Sequence, residues 1–280
     1  MSIANLGPED EMVLKSLWLS VFAAFYVTVL PLDSAHAQET TFEDQIQEQK
    51  VLLQSYGYQP WEWQKSRCSN CELFVQALHP DLQSEKVQLF IQALSLHKSE
   101  LQMFYKIDGD EYNLLAHMAI GILGRESLFF KSLRYQMKET APGLVRLAKI
   151  LRYVFSDTNA SLTDNSRGPT QIKIVPYTIN RAYGIDPEEL YVADNAAIAT
   201  MGFLIEALGE LKRRVVKNNL DFVTPATYVD YLPYIYFGST RALIKKTATP
   251  ETNLYVKDMK KYMKWVALYE REQNSVPRKN

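Results

Sequence analysis

Apolar residues recur at helical spacing along most of the chain. Between residues 41 and 56, Ile46, Leu52 and Leu53 share one face with polar positions between them. Residues 82–96 repeat the pattern through Val87, Leu89, Ile91 and Leu94. Residues 111–124 do so through Leu114, Leu115, Met118, Ile122 and Leu123, with Gly124 as the expected stop. Leu144, Leu147, Leu151 and Val154 predict a fourth helix over 144–155. Two more are predicted over 196–215 and 225–235, the latter with Thr224 as N-cap and Pro225 in its first turn. Alternating apolar and polar positions are scarce, and 171–175 reads as a short strand or a loop. The pattern predicts a mainly α domain.

The N-terminal stretch has a different grammar. Lys15 precedes an apolar run over 17–29, and Ala35-His36-Ala37 offers small residues at cleavage positions, making Gln38 the first mature residue. Glu9, Asp10 and Glu11 suit a signal poorly, which favours Met12 as the true start. A membrane anchor is the rival reading. Pro31 and Asp33 interrupt the run, and it is short of the roughly 20 apolar residues a span needs. The expectation is an exported protein, periplasmic or secreted, with no stable membrane span after signal removal. The organisation expected is a signal over 1–37, a helical extension over 38–105, a main domain over 106–268 and a polar tail over 269–280.

Charge narrows the partners. The whole chain carries a formal −1, and one lysine and four acids leave with residues 1–37, so the mature balance is slightly positive. Near-neutrality argues against a nucleic-acid partner, which needs a concentrated basic face. No internal repeat or low-complexity linker is present, and the mature chain is expected to be a monomer. The two cysteines, Cys68 and Cys71, form one Cys-x-x-Cys. In an oxidising compartment a Cys68–Cys71 disulfide is the expected state. A zinc site would need two further ligands where only His79 lies nearby, and a thioredoxin-like site would need a βαβ context. No metal cluster or phosphate-cradling glycine loop appears, so neither metal nor cofactor is expected.

The chemistry concentrates at Gly124-Arg125-Glu126-Ser127-Leu128-Phe129-Phe130, where a Glu-Ser pair ends an apolar helical run and bulky hydrophobics follow. Such a carboxylate loses water, which favours its protonated form and suits a general acid. The plainer reading is a glutamate at the end of a core helix with its side chain in solvent. Downstream, residues 156–169 are rich in turn formers and mark a surface loop, which ends in Gly168-Pro169-Thr170-Gln171-Ile172.

Here the chain resembles the lytic transglycosylases and goose-type lysozymes of the lysozyme-like superfamily. The catalytic Glu-Ser of that family is similar to Glu126-Ser127. Its Gly-Leu-Met-Gln-Ile motif, with Pro-x-Thr shortly after, is similar to Gly168-Pro169-Thr170-Gln171-Ile172 with Pro176-Tyr177-Thr178. A later helix with Gly-x-x-x-Leu resembles the run from Asp194-Asn195-Ala196 through Gly202-Phe203-Leu204, and the Tyr-Asn motif is matched by Tyr236-Phe237-Gly238. The resemblance covers about residues 111–268. It departs where Pro169-Thr170 replaces Leu-Met, where Phe237 replaces Asn, and where Glu126 and Gln171 stand further apart, which implies an insertion over 131–167.

The resemblance implies a lysozyme-like domain with an N-terminal helical extension. It also implies cleavage of the β-1,4 bond between N-acetylmuramic acid and N-acetylglucosamine in peptidoglycan, with glycan strands as partner. Glu126 would be the acid, then the base, closing a 1,6-anhydro ring in a transglycosylase or activating water in a lysozyme. Ser127, Gln171 and Tyr236 would line the substrate side, Ser127 by pairing backbone near the acid. Inverting hydrolysis needs a second carboxylate roughly 6.5–9.5 Å away. Asp157 and Asp164 are the candidates; as loop residues they also suit capping of their own backbone. On the rim of the groove they would favour deacetylated, amine-bearing glycan. The alternative is a catalytically silent lysozyme-like protein that binds glycan or a partner.

Overall fold

The computed structural model describes residues 59–60, 71–140 and 166–272, all within one compact unit. The expected signal, the helices over 41–56 and 144–155, Cys68, Asp157 and Asp164 lie outside the described residues.

The element at the centre is α3 (Gly109–Ser127), apolar nearly all round and buried from Tyr112 through Leu123 except at His117. A helix with that composition holds together only inside a shell of other elements. Asp108 starts it by accepting from the Glu111 N–H at 2.8 Å, and Asp110 and Glu111 place negative charge on the first turn. Around it stand α1 (Glu85–Leu96), α2 (Lys98–Tyr105), α4 (Leu133–Thr140), α6 (Ala193–Asn218) and α9 (Leu254–Met263). Helix α6 buries a stripe of small residues, Ala196, Ala197, Ala199 and Gly202, which brings its backbone close to its neighbours. The short α5 (Tyr177–Tyr183) rests on it through Ile179, whose Cγ1 lies 2.3 Å from where a Cβ on Gly202 would stand. Thr224, Pro225 and Thr227 form a 3-10 turn that opens α7 (Tyr228–Tyr236), and α8 (Thr240–Ile244) follows.

Gly124 does not stop α3. The helix continues to Ser127, and Gly121 and Gly124 instead face α9. A Cβ on Gly121 would stand 2.7 Å from the Met259 carbonyl oxygen, and one on Gly124 would stand 2.5 Å from Tyr262 Cγ. Both glycines exist because α9 lies against the α3 backbone.

Three strands make an antiparallel sheet in the order β1 (Gln59–Pro60), β3 (Val266–Glu272), β2 (Cys71–Ala77). Cys71 pairs with Glu272 and Ala77 with Val266. Tyr269 and Glu270 are buried in β3, so the tail expected from residue 269 begins inside the sheet. The core is likewise continuous across the boundary expected at 105/106, since Leu82, Val87 and Phe90 share it with α3 and α6. Beneath the sheet, Lys98 donates to the Cys71 carbonyl at 2.8 Å and lies 3.8 Å from Glu270, which also accepts from Asn113. Burial pulls the Lys98 ammonium below its ordinary pKa, with Glu270 opposing. Cys71 is disulfide-bonded. His79, considered above as a metal ligand, stacks on Trp265 at 3.5 Å and accepts from the Asp81 N–H. The described residues hold no cluster able to take a metal ion, and none of their helices is long and apolar enough to cross a membrane.

Candidate active site

Helix α3 ends in an unusual way. Leu128, Phe129 and Phe130 all have positive φ, at 48°, 55° and 68°. Left-handed backbone costs a non-glycine residue about 1–2 kcal/mol, so three in succession need strong outside support. Phe129 and Phe130 supply it by being buried, the first against Tyr262 and Trp265, the second against Tyr135. Ser127 supplies the rest. Its Oγ donates to the Leu123 carbonyl at 2.9 Å and accepts from the Phe130 N–H at 3.1 Å, and its carbonyl accepts from the Ser132 N–H. Fully buried, Ser127 commits its hydroxyl to backbone beside Glu126 and shapes the turn. The reversal of chain direction leaves Glu126 on the last turn of α3, half-buried.

Burial raises the Glu126 pKa above the ordinary carboxylate value, against the pull of Tyr255 and of the cations Arg125, Arg134 and Lys138. Tyr255 comes from the first turn of α9, where Asn253 caps the helix by accepting from the Tyr255 and Val256 N–H groups. Its buried hydroxyl is in interaction range of the carboxylate but off the geometry of a formed hydrogen bond. Burial and the facing carboxylate push the Tyr255 hydroxyl pKa up, so it stays a proton donor. Phe237 packs on Tyr255 with ring centroids 5.0 Å apart, and Arg125 lies 5.4 Å from the centroid of the same ring while its Nε sits 3.1 Å from Asp258. Phe237 thus sets an aromatic ring beside Tyr255.

Tyr236, at the end of α7, also borders Glu126; burial first, and the Glu126 charge second, push its phenol pKa up and keep it protonated. Its hydroxyl donates to the Thr170 carbonyl, so it braces the loop. That loop turns at Gly168 (φ 67°), where any Cβ would stand 2.5 Å from the Leu190 carbonyl oxygen, and returns through the Arg167–Ile172 bridge. Thr170 is buried and its hydroxyl pairs with that of Thr200 on α6 at 2.8 Å. Apart from Ile172 in the bridge, residues 171–174 are turn and bend, with Gln171 at φ 56°. The Gln171 amide nitrogen donates to the Gly168 carbonyl at 2.7 Å, and its oxygen accepts from Ser166 and Lys138.

The structure therefore brings Glu126, Gln171 and Tyr236 to one locality, with Ser127 as the internal support of the turn. Sequence reasoning missed Tyr255, Arg134 and Lys138. Helix α4, which carries the two cations, is mostly polar and shows no apolar stripe. Tyr255 is marked only by the Asn253 cap two positions earlier. Compared with protein-family models, curated proteins and solved structures, the chain matches none.

Proposed function

We propose that the protein cleaves the β-1,4 glycosidic bond of peptidoglycan between N-acetylmuramic acid and N-acetylglucosamine, with Glu126 as acid and then base in a lysozyme-like domain. One observation carries the reading: a single carboxyl, its pKa raised by burial, held on a strained turn that two buried phenylalanines and Ser127 fix in place. Protonated Glu126 gives its proton to the bridging oxygen as the C1–O bond breaks. The carboxylate left behind sits among Arg125, Arg134 and Lys138, which stabilise it. It then takes the proton of the muramoyl 6-hydroxyl while that oxygen closes on C1. The 1,6-anhydro ring forms, no water is consumed, and Glu126 is protonated again. The cationic surroundings support this one-carboxyl route; hydrolysis by inversion would enlist Asp157 or Asp164.

Glu126→Gln keeps the shape and removes the transferable proton. Release of muropeptides from purified sacculi falls by about 10²-fold or more while glycan binding persists. Mass spectra of wild-type products lack the added water of hydrolysis. Equal release by both proteins would refute the catalytic reading. It would favour the alternative of a catalytically silent protein, which has its own support: the Gln171 amide and the Tyr236 hydroxyl are both engaged within the protein.

A further inference from the structure

Three cations act on Glu126, and two of them are committed. Arg125 pairs with Asp258 and lies over Tyr255, while Lys138 is buried and donates to Ser166 and Gln171. Arg134 is different. It is exposed, and among the described residues it makes no hydrogen bond or ion pair; it stands beside Tyr135, which packs on Phe130 of the turn that follows Glu126, and one turn before Lys138, which reaches Gln171. The helix beneath it is fixed. Tyr135 is buried against Phe130 and Tyr191, Glu139 pairs with Lys86 at 3.0 Å, and Lys138, one turn on from Arg134, ties the helix to the Gln171 loop. Met137, three positions on and 44% exposed, shares the face of Arg134 and offers an apolar seat beside it. An exposed guanidinium without a protein partner, on a rigid helix beside the group that would act on the glycan, is placed to take an anion. Its planar fork fits a carboxylate in a way a point charge does not.

We infer that Arg134 recognises a carboxylate borne by the muramoyl residue at the scissile bond, making the protein selective for anionic over neutral glycan. The inference rests on the peptidoglycan reading above. That carboxylate has two sources: the lactyl group itself, free where the stem peptide is absent, or the acidic groups of an attached stem peptide. A methylamide on the lactyl group removes the first, and a peptide-bearing strand supplies the second alone.

The test is calorimetric binding of three oligomers of equal length to the full chain: free lactyl acid, lactyl methylamide and peptide-bearing. Wild type and Arg134→Gln are compared, and product release from the same oligomers is followed by mass spectrometry. Because the side chain is exposed and unpaired, the variant folds as wild type does. Wild type is expected to bind at least one carboxylate-bearing oligomer about fivefold more tightly than the methylamide, the scale of one partly exposed charge-assisted contact. That preference disappears in Arg134→Gln, survives in part in Arg134→Lys, and shrinks at high salt. The oligomer that carries the preference identifies the source. A ratio unchanged by Arg134→Gln overturns the inference, and release by wild type spares the catalytic reading whatever the variant's own rate. A ratio lost in the variant while neither protein releases product supports the inference and overturns catalysis. Absence of binding to all three oligomers overturns both.

Discussion

Gly124→Ala perturbs one backbone contact and tests whether the site depends on it. The added methyl would stand 2.5 Å from Tyr262 Cγ and 2.7 Å from both Tyr262 Cβ and Phe129 Cζ. Ordinary carbon contacts lie at about 3.5–4.0 Å, so roughly 1 Å of relief is needed. Phe129 is buried in the left-handed turn and cannot give way easily, which leaves α9 to move. Overpacking of this kind costs about 1–3 kcal/mol, and replacing a helical glycine by alanine returns up to about 1 kcal/mol. The net loss is about 1 kcal/mol, a fall in Tm of about 2–4 °C for a domain of this size by thermal circular dichroism. Activity falls further than stability. The shift of α9 takes Tyr255 away from Glu126, and misplacement by about 1 Å can lower a rate by about 10²-fold. Gly209→Ala is the control. It lies in α6 with no atom within 4 Å of the new Cβ, and the variant gains about 0.5–1 kcal/mol with activity unchanged. A Gly124→Ala protein as active and as stable as wild type would refute the close-packing account of Gly124 and the dependence of activity on where α9 holds Tyr255.

Glu126→Gln also changes stability, in a direction fixed by the raised pKa. A carboxyl whose folded pKa exceeds its unfolded value stabilises fully below the unfolded pKa and loses that contribution as pH rises through the folded one. The Tm of Glu126→Gln therefore matches wild type in acid and exceeds it increasingly as pH rises; a constant offset would contradict the linkage. Gly168→Ala combines a φ of +67° with a contact of 2.5 Å to the Leu190 carbonyl, and loses about 3 kcal/mol or more in urea denaturation. Lys98→Met leaves Glu270 buried without its cation and costs about 3–5 kcal/mol, read as a lower urea midpoint; a loss under about 1 kcal/mol would mean that the pair contributes little.

Helices with long apolar stripes were legible, and α1, α3, α6 and α7 follow the spacing that predicted them. What escaped has a common cause in distance along the chain. Strand β2 buries Cys71 and Leu73 but leaves the rest half-covered, so its alternation is too brief to register, and β3 supplies its partner from the other end of the domain. Gly124 looked like a stop because a glycine after a helical run ordinarily is one; only the presence of α9 turns it into a contact. Glu126 was legible because its burial follows from local apolar neighbours. Tyr255 was not, because its meaning depends on a helix that the chain reaches far downstream. Arg134 looked like any surface arginine until the commitments of Arg125 and Lys138 left it as the free charge.

The pairing of β2 with β3 also sets an order of events during folding. The two strands are separated by nearly the whole described chain, and closing a loop of about 190 residues costs roughly 2.5 kcal/mol more entropy than closing a hairpin of about 12. That closure is feasible only after α3 and α6 have collapsed and shortened the path between the strands. The sheet is then a late seam, zipped after the helical core exists, and its strands stay as open edges while the chain waits for its own C-terminal segment.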